Sequence, residues 1–155
     1  MPPLSSSGRP DSMTDQSKSD SIESGDSAAW KRDPLAAAYP ETSAFWEAAA
    51  EGQFLLRQCV KCEKAHWYPR PICPLCGGSD VTWITASGRG TLYAFSPARR
   101  ASPAYTLAYV TLDEGPTIMT NIIGADPDAL ELGQPVHVSF QPSDEGRMMP
   151  FFKPL

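Results

Sequence analysis

The chain has 155 residues, a mass of 16.8 kDa and a formal net charge of −5. This length suffices for one ordinary domain or two small ones. No stretch approaches the roughly eighteen consecutive apolar residues of a membrane span, and the first residues contain no apolar signal core. We therefore expect a soluble, cytoplasmic protein.

The charge is unevenly distributed along the chain. Residues 54–100 carry seven basic and two acidic side chains, whereas residues 101–155 carry two basic and seven acidic ones. A basic segment on an acidic protein indicates an anionic partner, such as a phosphate-bearing cofactor, a nucleic acid or an acidic protein surface. An ordinary solvated surface explains the same pattern equally well.

The first 29 residues have the composition of a disordered segment. They include nine serines and few apolar side chains. Such a segment cannot bury enough surface to offset its conformational entropy. We predict a disordered tail over residues 1–29, with Trp30 as the first anchor of the folded part.

Short helices are predicted over residues 30–53. The first has Asp33 as its N-cap and Pro34 at its first helical position, and it ends at Tyr39 and Pro40. Because helices this short are marginal alone, we expect this segment to pack on the rest of the chain.

The second helix begins at Thr42 or Ser43, which supplies a capping hydroxyl, and it runs to Glu51, where Gly52 stops it. One of its faces carries large apolar side chains. These are Phe45, Trp46 and Ala49. We expect this face to dock on the domain that follows or on a partner protein.

All four cysteines lie within eighteen residues, as two CxxC pairs separated by ten residues: Cys59, Cys62, Cys73 and Cys76. Two such turns facing each other present four thiolates in the tetrahedral arrangement that Zn²⁺ prefers. Pro74 and the Gly77-Gly78 pair favour the sharp chain reversal. Since a closed four-thiolate shell leaves no position for water or substrate, we predict a structural zinc site.

The same cysteines allow other interpretations. Paired CxxC turns in a chain with no secretory signal favour metal over disulfide bonds. A thioredoxin-like redox pair would need one CxxC at the start of a helix in a βαβ pattern. Iron fits the same four thiolates as zinc does, and it would make the protein a coloured electron carrier.

Short strands flank the cysteines, at residues 54–58, 65–71 and 81–84. The prolines in the second of these confine it to a sheet edge. With the metal they form a zinc ribbon, which we predict over residues 54–86. His66 lies close to the second cysteine in sequence, but four thiolates already complete the metal shell.

Five further β segments are predicted at residues 90–95, 106–112, 117–123, 136–140 and 148–152. Turn sequences join the second to the third and the fourth to the fifth. A single helical turn that begins at Pro127 separates the third from the fourth. This is the connectivity of an OB-fold barrel, predicted over residues 87–155. Gly88 and Gly90 suit the bend that lets the first strand serve both halves of the barrel.

The predicted fold is thus mainly β, with N-terminal helices, a rubredoxin-like zinc ribbon and a five-stranded OB-fold barrel. Residues 43–154 resemble the acyl-CoA-associated family of zinc-ribbon plus OB-fold proteins, long catalogued as a domain of unknown function. The resemblance rests on the helix with Phe45-Trp46-Glu47, the two CxxC pairs around Trp67-Tyr68-Pro69-Arg70-Pro71, and the segments 88–95, 110–116, 132–136 and 150–154.

The resemblance implies a function. Members of this family accompany thiolase-like or hydratase-like enzymes that act on CoA thioesters, including enzymes that shorten steroid side chains. They serve as non-catalytic subunits that stabilise the enzyme and help to form its acyl-CoA channel. We therefore expect an accessory subunit in a hetero-oligomer, with a role in lipid or steroid side-chain metabolism.

The residues themselves agree with a non-catalytic role. The chain has two histidines, His66 and His137, no GxSxG motif, and no cysteine outside the two pairs. His137 alternates with two valines in a predicted strand, so we expect it to face solvent or an interface.

Contact with CoA would need cations for the phosphates and flat apolar surfaces for the adenine. The candidate cations are Arg70, Arg89, Arg99 and Arg100, and the candidate stacking surfaces are Tyr93, Phe95 and Tyr105. For each arginine, a solubilising charge or a contact with a protein partner is an equally good explanation.

Single-stranded nucleic-acid binding is the alternative function, because OB barrels and zinc ribbons both serve it and Arg99-Arg100 lie near aromatic residues. The isoelectric point of about 4.9 argues against it, since an acidic protein repels a phosphate backbone.

Overall fold

The computed structural model describes residues 28–155. The predicted tail lies outside the described residues, apart from Ala28 and Ala29. Within the described part, every helix is too short or too polar to cross a lipid bilayer.

The N-terminal segment consists of two α-helices and two 3-10 turns. The turns span Ala29–Arg32 and Pro40–Thr42, and the helices are α1 (Pro34–Ala38) and α2 (Ser43–Ala50). The predicted cap of α1 is confirmed, because the Asp33 carboxylate accepts a hydrogen bond of 2.7 Å from the Leu35 N–H.

The predicted hydroxyl cap of α2 is wrong. The Thr42 hydroxyl donates to the carbonyl of Tyr39 at 2.7 Å and accepts from Nε1 of Trp46 at 3.0 Å. It makes no capping bond, because the 3-10 turn leads directly into the helix and both of its hydrogen-bonding directions are used. Thr42 therefore fixes the position of the Trp46 ring. The predicted stop is confirmed, since Gly52 follows the helix with a φ of +78°.

The ribbon is a three-stranded antiparallel sheet of β1 (Leu55–Cys59), β2 (Ala65–His66) and β3 (Val81–Thr85), in the order β2-β1-β3. β2 lies at an edge, as predicted. The predicted strand over residues 65–71 is too long, however, since β2 ends at His66. Pro69 and Pro71 lack the N–H groups that would continue the ladder.

The barrel consists of β4 (Arg89–Ala98), β5 (Tyr105–Leu112), β6 (Thr117–Ile122), β7 (Pro135–Pro142) and β8 (Met148–Pro154). It closes in the order β4-β5-β6-β8-β7, with β6 and β8 parallel and the other pairs antiparallel. A 3-10 turn, Pro127–Ala129, lies between β6 and β7 as predicted. The predicted fold class is confirmed.

Strand β4 pairs with β5 on one side and with β7 on the other. Its register shifts between Leu92 and Ala94, so the bulge that bends it lies at Tyr93 and not at the glycines. The glycines serve close packing instead. A Cβ on Gly90 would lie 2.5 Å from the carbonyl oxygen of Thr111, and one on Gly88 would lie 2.6 Å from Cγ1 of Val138.

A buried ion pair joins the N-terminal segment to the barrel. The Arg147 guanidinium, just before β8, donates to the carboxylate of Asp33, whose side chain is 1% exposed. The same guanidinium lies 5.0 Å from the centre of the Trp46 ring. Burial raises the pKa of Asp33, but the Leu35 N–H and Arg147 outweigh that effect and hold the pKa below its ordinary value of 3.8.

We predict that Asp33→Asn lowers the free energy of unfolding at pH 7 by about 2 kcal/mol, because it leaves a buried guanidinium without its counter-ion. The folded pKa lies below the unfolded one. The contribution of the Asp33 charge is therefore present above pH 3.8 and is lost as the pH falls through the folded pKa. Urea denaturation of both proteins at pH 7 and near pH 3 measures this difference.

Asp128→Asn is the matched control, because it removes an exposed ion pair with Arg99. We expect it to change stability by less than about 1 kcal/mol at either pH. Equal effects of the two substitutions at pH 7 would contradict the structural role assigned to Asp33.

Candidate functional site

The two CxxC turns bring the four cysteine sulfurs together. Cys59 ends β1 and Cys62 follows in the turn toward β2, whereas Cys73 and Cys76 lie in the loop between β2 and β3. The four Sγ atoms lie within 4.8 Å of one another. The Sγ atoms of Cys59 and Cys76 are 3.6 Å apart, and those of Cys62 and Cys73 are 3.8 Å apart.

These distances fit a tetrahedral metal ion. Metal–sulfur bonds of about 2.3 Å place neighbouring sulfurs about 3.8 Å apart in a tetrahedron. The cysteines are free, and their sulfur separations exceed the roughly 2 Å of a disulfide bond. The four cysteines are therefore positioned to bind a metal ion.

The backbone of the second turn is shaped by its glycines. Gly77 has a φ of +72°, and its N–H donates to the carbonyl of Cys73 at 2.9 Å. A Cβ on Gly78 would lie 3.3 Å from Sγ of Cys59 and 3.4 Å from Sγ of Cys76. Gly77 thus provides the chain reversal, and Gly78 leaves room for the sulfurs.

The thiols differ in acidity when no metal is bound. Burial alone would raise the pKa of Cys73, but the N–H groups of Leu75 and Cys76 and the Cys62 thiol lower it to about 7. The Gly78 N–H lowers the pKa of Cys76, but the Cys59 thiol, burial and the other two thiols together raise it to about 11. Since the thiolate is the ligand, metal binding must displace these protons.

We predict that the bound metal becomes easier to remove as the pH falls from 8 to 6. Cys73, with a metal-free pKa of about 7, ionises within this range, and Cys76, with a metal-free pKa of about 11, must lose its proton throughout it. Transfer of the metal to a chelator of known pH dependence measures the change. A metal affinity that does not vary with pH would contradict thiolate ligation.

We also predict that Cys76→Ser loses stoichiometric metal, because a hydroxyl is a poor replacement for a thiolate ligand. Val60→Ser is the control, since Val60 lies in the first turn, is 52% exposed and is not a cysteine. Elemental analysis of both purified variants measures the metal per chain. Full metal content in Cys76→Ser would rule out the four-cysteine centre.

The CoA-contact candidates are distributed over several parts of the surface. Arg99 pairs with both carboxylate oxygens of Asp128, and it lines a cavity of 430 Å³ together with Tyr105. Arg70 lines a different cavity of 420 Å³. Arg89 lies opposite His137 in the β4–β7 ladder.

The remaining candidates occupy different environments. Tyr93 is 69% exposed at the bulge, Phe95 packs against the core, and Arg100 is exposed in the turn after β4. The seven residues therefore do not converge on one site. Among them, Arg99 and Tyr105 line the same cavity.

The largest cavity described, 640 Å³, lies between the ribbon and the β5–β6 turn, and sequence reasoning missed it. Its wall includes His66, which is 3% exposed and stands apart from the four-cysteine group. Burial lowers the pKa of His66, and the charges of Arg57 and Arg70 act in the same direction. The cavity has no sequence signal because Gln58, Leu75 and Glu114, which also line it, come from distant segments.

Sequence reasoning also missed Arg147. It lines two cavities, one of 420 Å³ with Arg70 and Tyr68, and one of 260 Å³ with Trp46 and Met119. Its partner Asp33 is 114 residues away in the chain, so no local pattern could reveal the pair.

His137, which we expected to face solvent or an interface, is half-buried.

Two family models match the chain. Residues 46–82 match the rubredoxin-like zinc ribbon domain of ChsH2, and residues 83–141 match the C-terminal OB-fold domain of ChsH2. Together the matches cover more than half of the sequence. The chain belongs to the ChsH2 family of zinc ribbon and OB-fold proteins, which includes DUF35 proteins.

Two relatives of known description are similar in sequence to this chain. A probable enoyl-CoA hydratase alpha subunit from Thermomonospora curvata is 34% identical over 118 residues, or 72% of this chain. A DUF35 domain-containing scaffold protein from Pyrococcus furiosus is 31% identical over 86 residues, or 50% of this chain. The aligned part spans only 37% and 63% of the lengths of these two proteins.

Solved structures share the fold. A chain of the Ltp2-ChsH2(DUF35) aldolase is 30% identical, with a TM-score of 0.64 over 73% of this chain and 93% of that one. A DUF35-family protein of unknown function from Sulfolobus solfataricus has a TM-score of 0.56 over 78% of this chain and 92% of that one. At 10% identity, this second structure shows likeness of fold alone.

Proposed function

We propose that this chain is a non-catalytic accessory subunit of an enzyme that acts on acyl-CoA thioesters. One observation carries the proposal, namely the 30% identity and 93% coverage of a chain from the Ltp2-ChsH2(DUF35) aldolase. The descriptions of the relatives as a scaffold protein and as a hydratase subunit support it. The enzyme would be thiolase-like or hydratase-like, with a role in lipid or steroid side-chain metabolism.

The metal would be structural zinc in this proposal, held by Cys59, Cys62, Cys73 and Cys76. Zinc bound by four thiolates has a closed shell and supplies folding energy to a short segment. The sulfur separations of 3.6 and 3.8 Å support a four-thiolate metal ion, and the match to a zinc ribbon domain supports zinc. Zinc would leave the protein colourless, whereas iron in the same ligands would colour it.

The subunit would also help to form the acyl-CoA site of the enzyme. Of the candidate cations, Arg70 is the best placed, because its cavity also contains the rings of Tyr39 and Tyr68. Tyr39 is 52% exposed, and Arg70 has no acidic partner within residues 28–155. Arg99 is less suitable, since Asp128 already occupies its guanidinium. Glu41 also lines the Arg70 cavity, and its carboxylate would repel a phosphate bound close to it.

Nucleic-acid binding has less support. Proteins that bind single strands combine exposed aromatic rings with a cationic groove. Strand β5 supplies the exposed Tyr105 and Tyr109, but neither β5 nor its neighbour β6 contains a lysine or arginine. Arg99 lies beside Tyr105, but Asp128 already occupies its guanidinium, so these tyrosines lack the free cations that a single strand requires.

Co-purification of the tagged, full-length chain tests the proposal. We expect near-stoichiometric recovery of one enzyme, identified by mass spectrometry as thiolase-like or hydratase-like, and carbon–carbon bond cleavage or hydration of an acyl-CoA substrate by the eluate. The Cys76→Ser variant, which should lose its metal, is the control that shows whether recovery of the enzyme requires an intact ribbon. Recovery of nucleic acid without such an enzyme would contradict the proposal.

A further inference from the structure

Strand β4 from Thr91 onward presents an uncharged outer surface together with strands β5 and β6. Charged residues make up 20% of the chain, yet residues 91–98, 105–112 and 117–122 contain none. The side chains of this surface are largely aromatic or apolar. We call it the uncharged face and define it by Tyr93, Tyr105, Leu107, Tyr109, Met119 and Asn121.

The residues of the uncharged face point outward because their strand neighbours fill the barrel. Thr106, Ala108 and Val110 alternate with them in β5 and are buried. The exposed side chains include Met119 at 60% and Tyr109 at 45%, and these two residues face each other in the β5–β6 ladder. A contiguous apolar surface of this kind on a charged protein marks an interaction site.

The uncharged face continues into a cavity of 260 Å³ at its border with the N-terminal helices. Leu107, Met119 and Asn121 form one wall, and Trp46 and Phe151 belong to the other walls. An apolar cavity of about 150 Å³ accommodates a benzene ring. The cavity can therefore receive one aromatic or large aliphatic side chain.

The polar groups of this cavity are mostly engaged within the chain. Trp46 Nε1 donates to Thr42, the hydroxyl of Thr120 donates to the carbonyl of Pro150, and Arg147 donates to Asp33. These groups have little remaining capacity to bind a polar ligand. An apolar occupant fits the cavity better than a charged one.

We propose that the uncharged face and this cavity form the docking surface for the acyl-CoA enzyme, which inserts one aromatic or branched aliphatic side chain into the cavity. The inference rests on the proposed accessory function. Cores of protein interfaces are depleted of charged residues and enriched in tyrosine and methionine, as this surface is. The 30% identical chain of the aldolase belongs to a complex of two different proteins by its description.

The chemistry of the face selects a protein over other occupants. A nucleic acid or the phosphates of CoA would require cations, and the three strand segments supply none. The complementary surface of the enzyme should itself be apolar and uncharged at its centre, because any buried charge would lack a partner here.

The test uses the enzyme recovered by co-purification and compares Met119→Glu with Leu132→Glu. Both substitutions add one carboxylate at an exposed apolar residue, 60% and 67% exposed, but Leu132 lies outside the uncharged face. We expect Met119→Glu to weaken binding of the enzyme by about thirtyfold or more, because the carboxylate is buried without a partner on docking. Leu132→Glu should bind within about twofold of the natural chain. Calorimetry or surface-based binding assays with the purified proteins measure both constants.

Circular dichroism and thermal unfolding establish that the variants are folded. Should Met119→Glu be misfolded, Tyr109→Asp replaces it, since that side chain is also exposed and lies opposite Met119. The expected loss of binding is the same.

Equal binding of the enzyme to the natural chain and to Met119→Glu would overturn the docking surface while leaving the accessory function intact. Failure of the natural chain to bind any such enzyme would overturn both. Two further outcomes would assign the face to another occupant. One is a dimer by light scattering that Met119→Glu makes monomeric, and the other is binding of an oligo(dT) probe that the same substitution abolishes.

Discussion

Aromatic rings from the helices, the ribbon and the barrel pack around Phe54 and hold these parts together. The centre of this ring lies 6.0 Å from Phe45 of α2, 5.8 Å from Trp67 after β2, and 6.2 Å from both Phe140 of β7 and Phe152 of β8. Helices, ribbon and barrel thus share one core. Neither the helices nor the ribbon is large enough to be stable alone, because α2 has eight residues and the ribbon sheet has three short strands. Strand β1 joins this core to the metal centre, since Phe54 precedes it and Cys59 ends it.

Side chains fill the interior of the barrel, which leaves no room there for a ligand or a partner. Large apolar side chains such as Leu92, Val110 and Phe152 are fully buried in the barrel. A ligand or partner must therefore bind on outer surfaces and in the clefts between the parts. This arrangement suits a subunit whose proposed role is to complete a site with another protein. Arg147 lines both the cavity that borders the uncharged face and the cavity that contains Arg70.

Local signals in the sequence predicted much of the fold. The CxxC spacing, the Asp33-Pro34 helix start and the order of five strands around one short turn all depend on nearby residues. Errors arose where a side chain had a competing hydrogen-bond partner or where a distant segment came close. The Thr42 hydroxyl bonds to Trp46 instead of capping the helix, and the close approach of Thr111 explains Gly90 better than a bend does. The cavities were not predictable, because their walls combine segments as far apart as Trp46 and Met119.

In the proposed function, this chain assists catalysis without performing it. The most direct measurement is the steady-state turnover of an acyl-CoA substrate by the partner enzyme alone, by this chain alone, and by the two together. We predict no turnover by this chain alone and a lower KM for acyl-CoA in the complex than in the isolated enzyme. Turnover by this chain alone, or identical kinetic constants with and without it, would contradict the role of a non-catalytic accessory subunit.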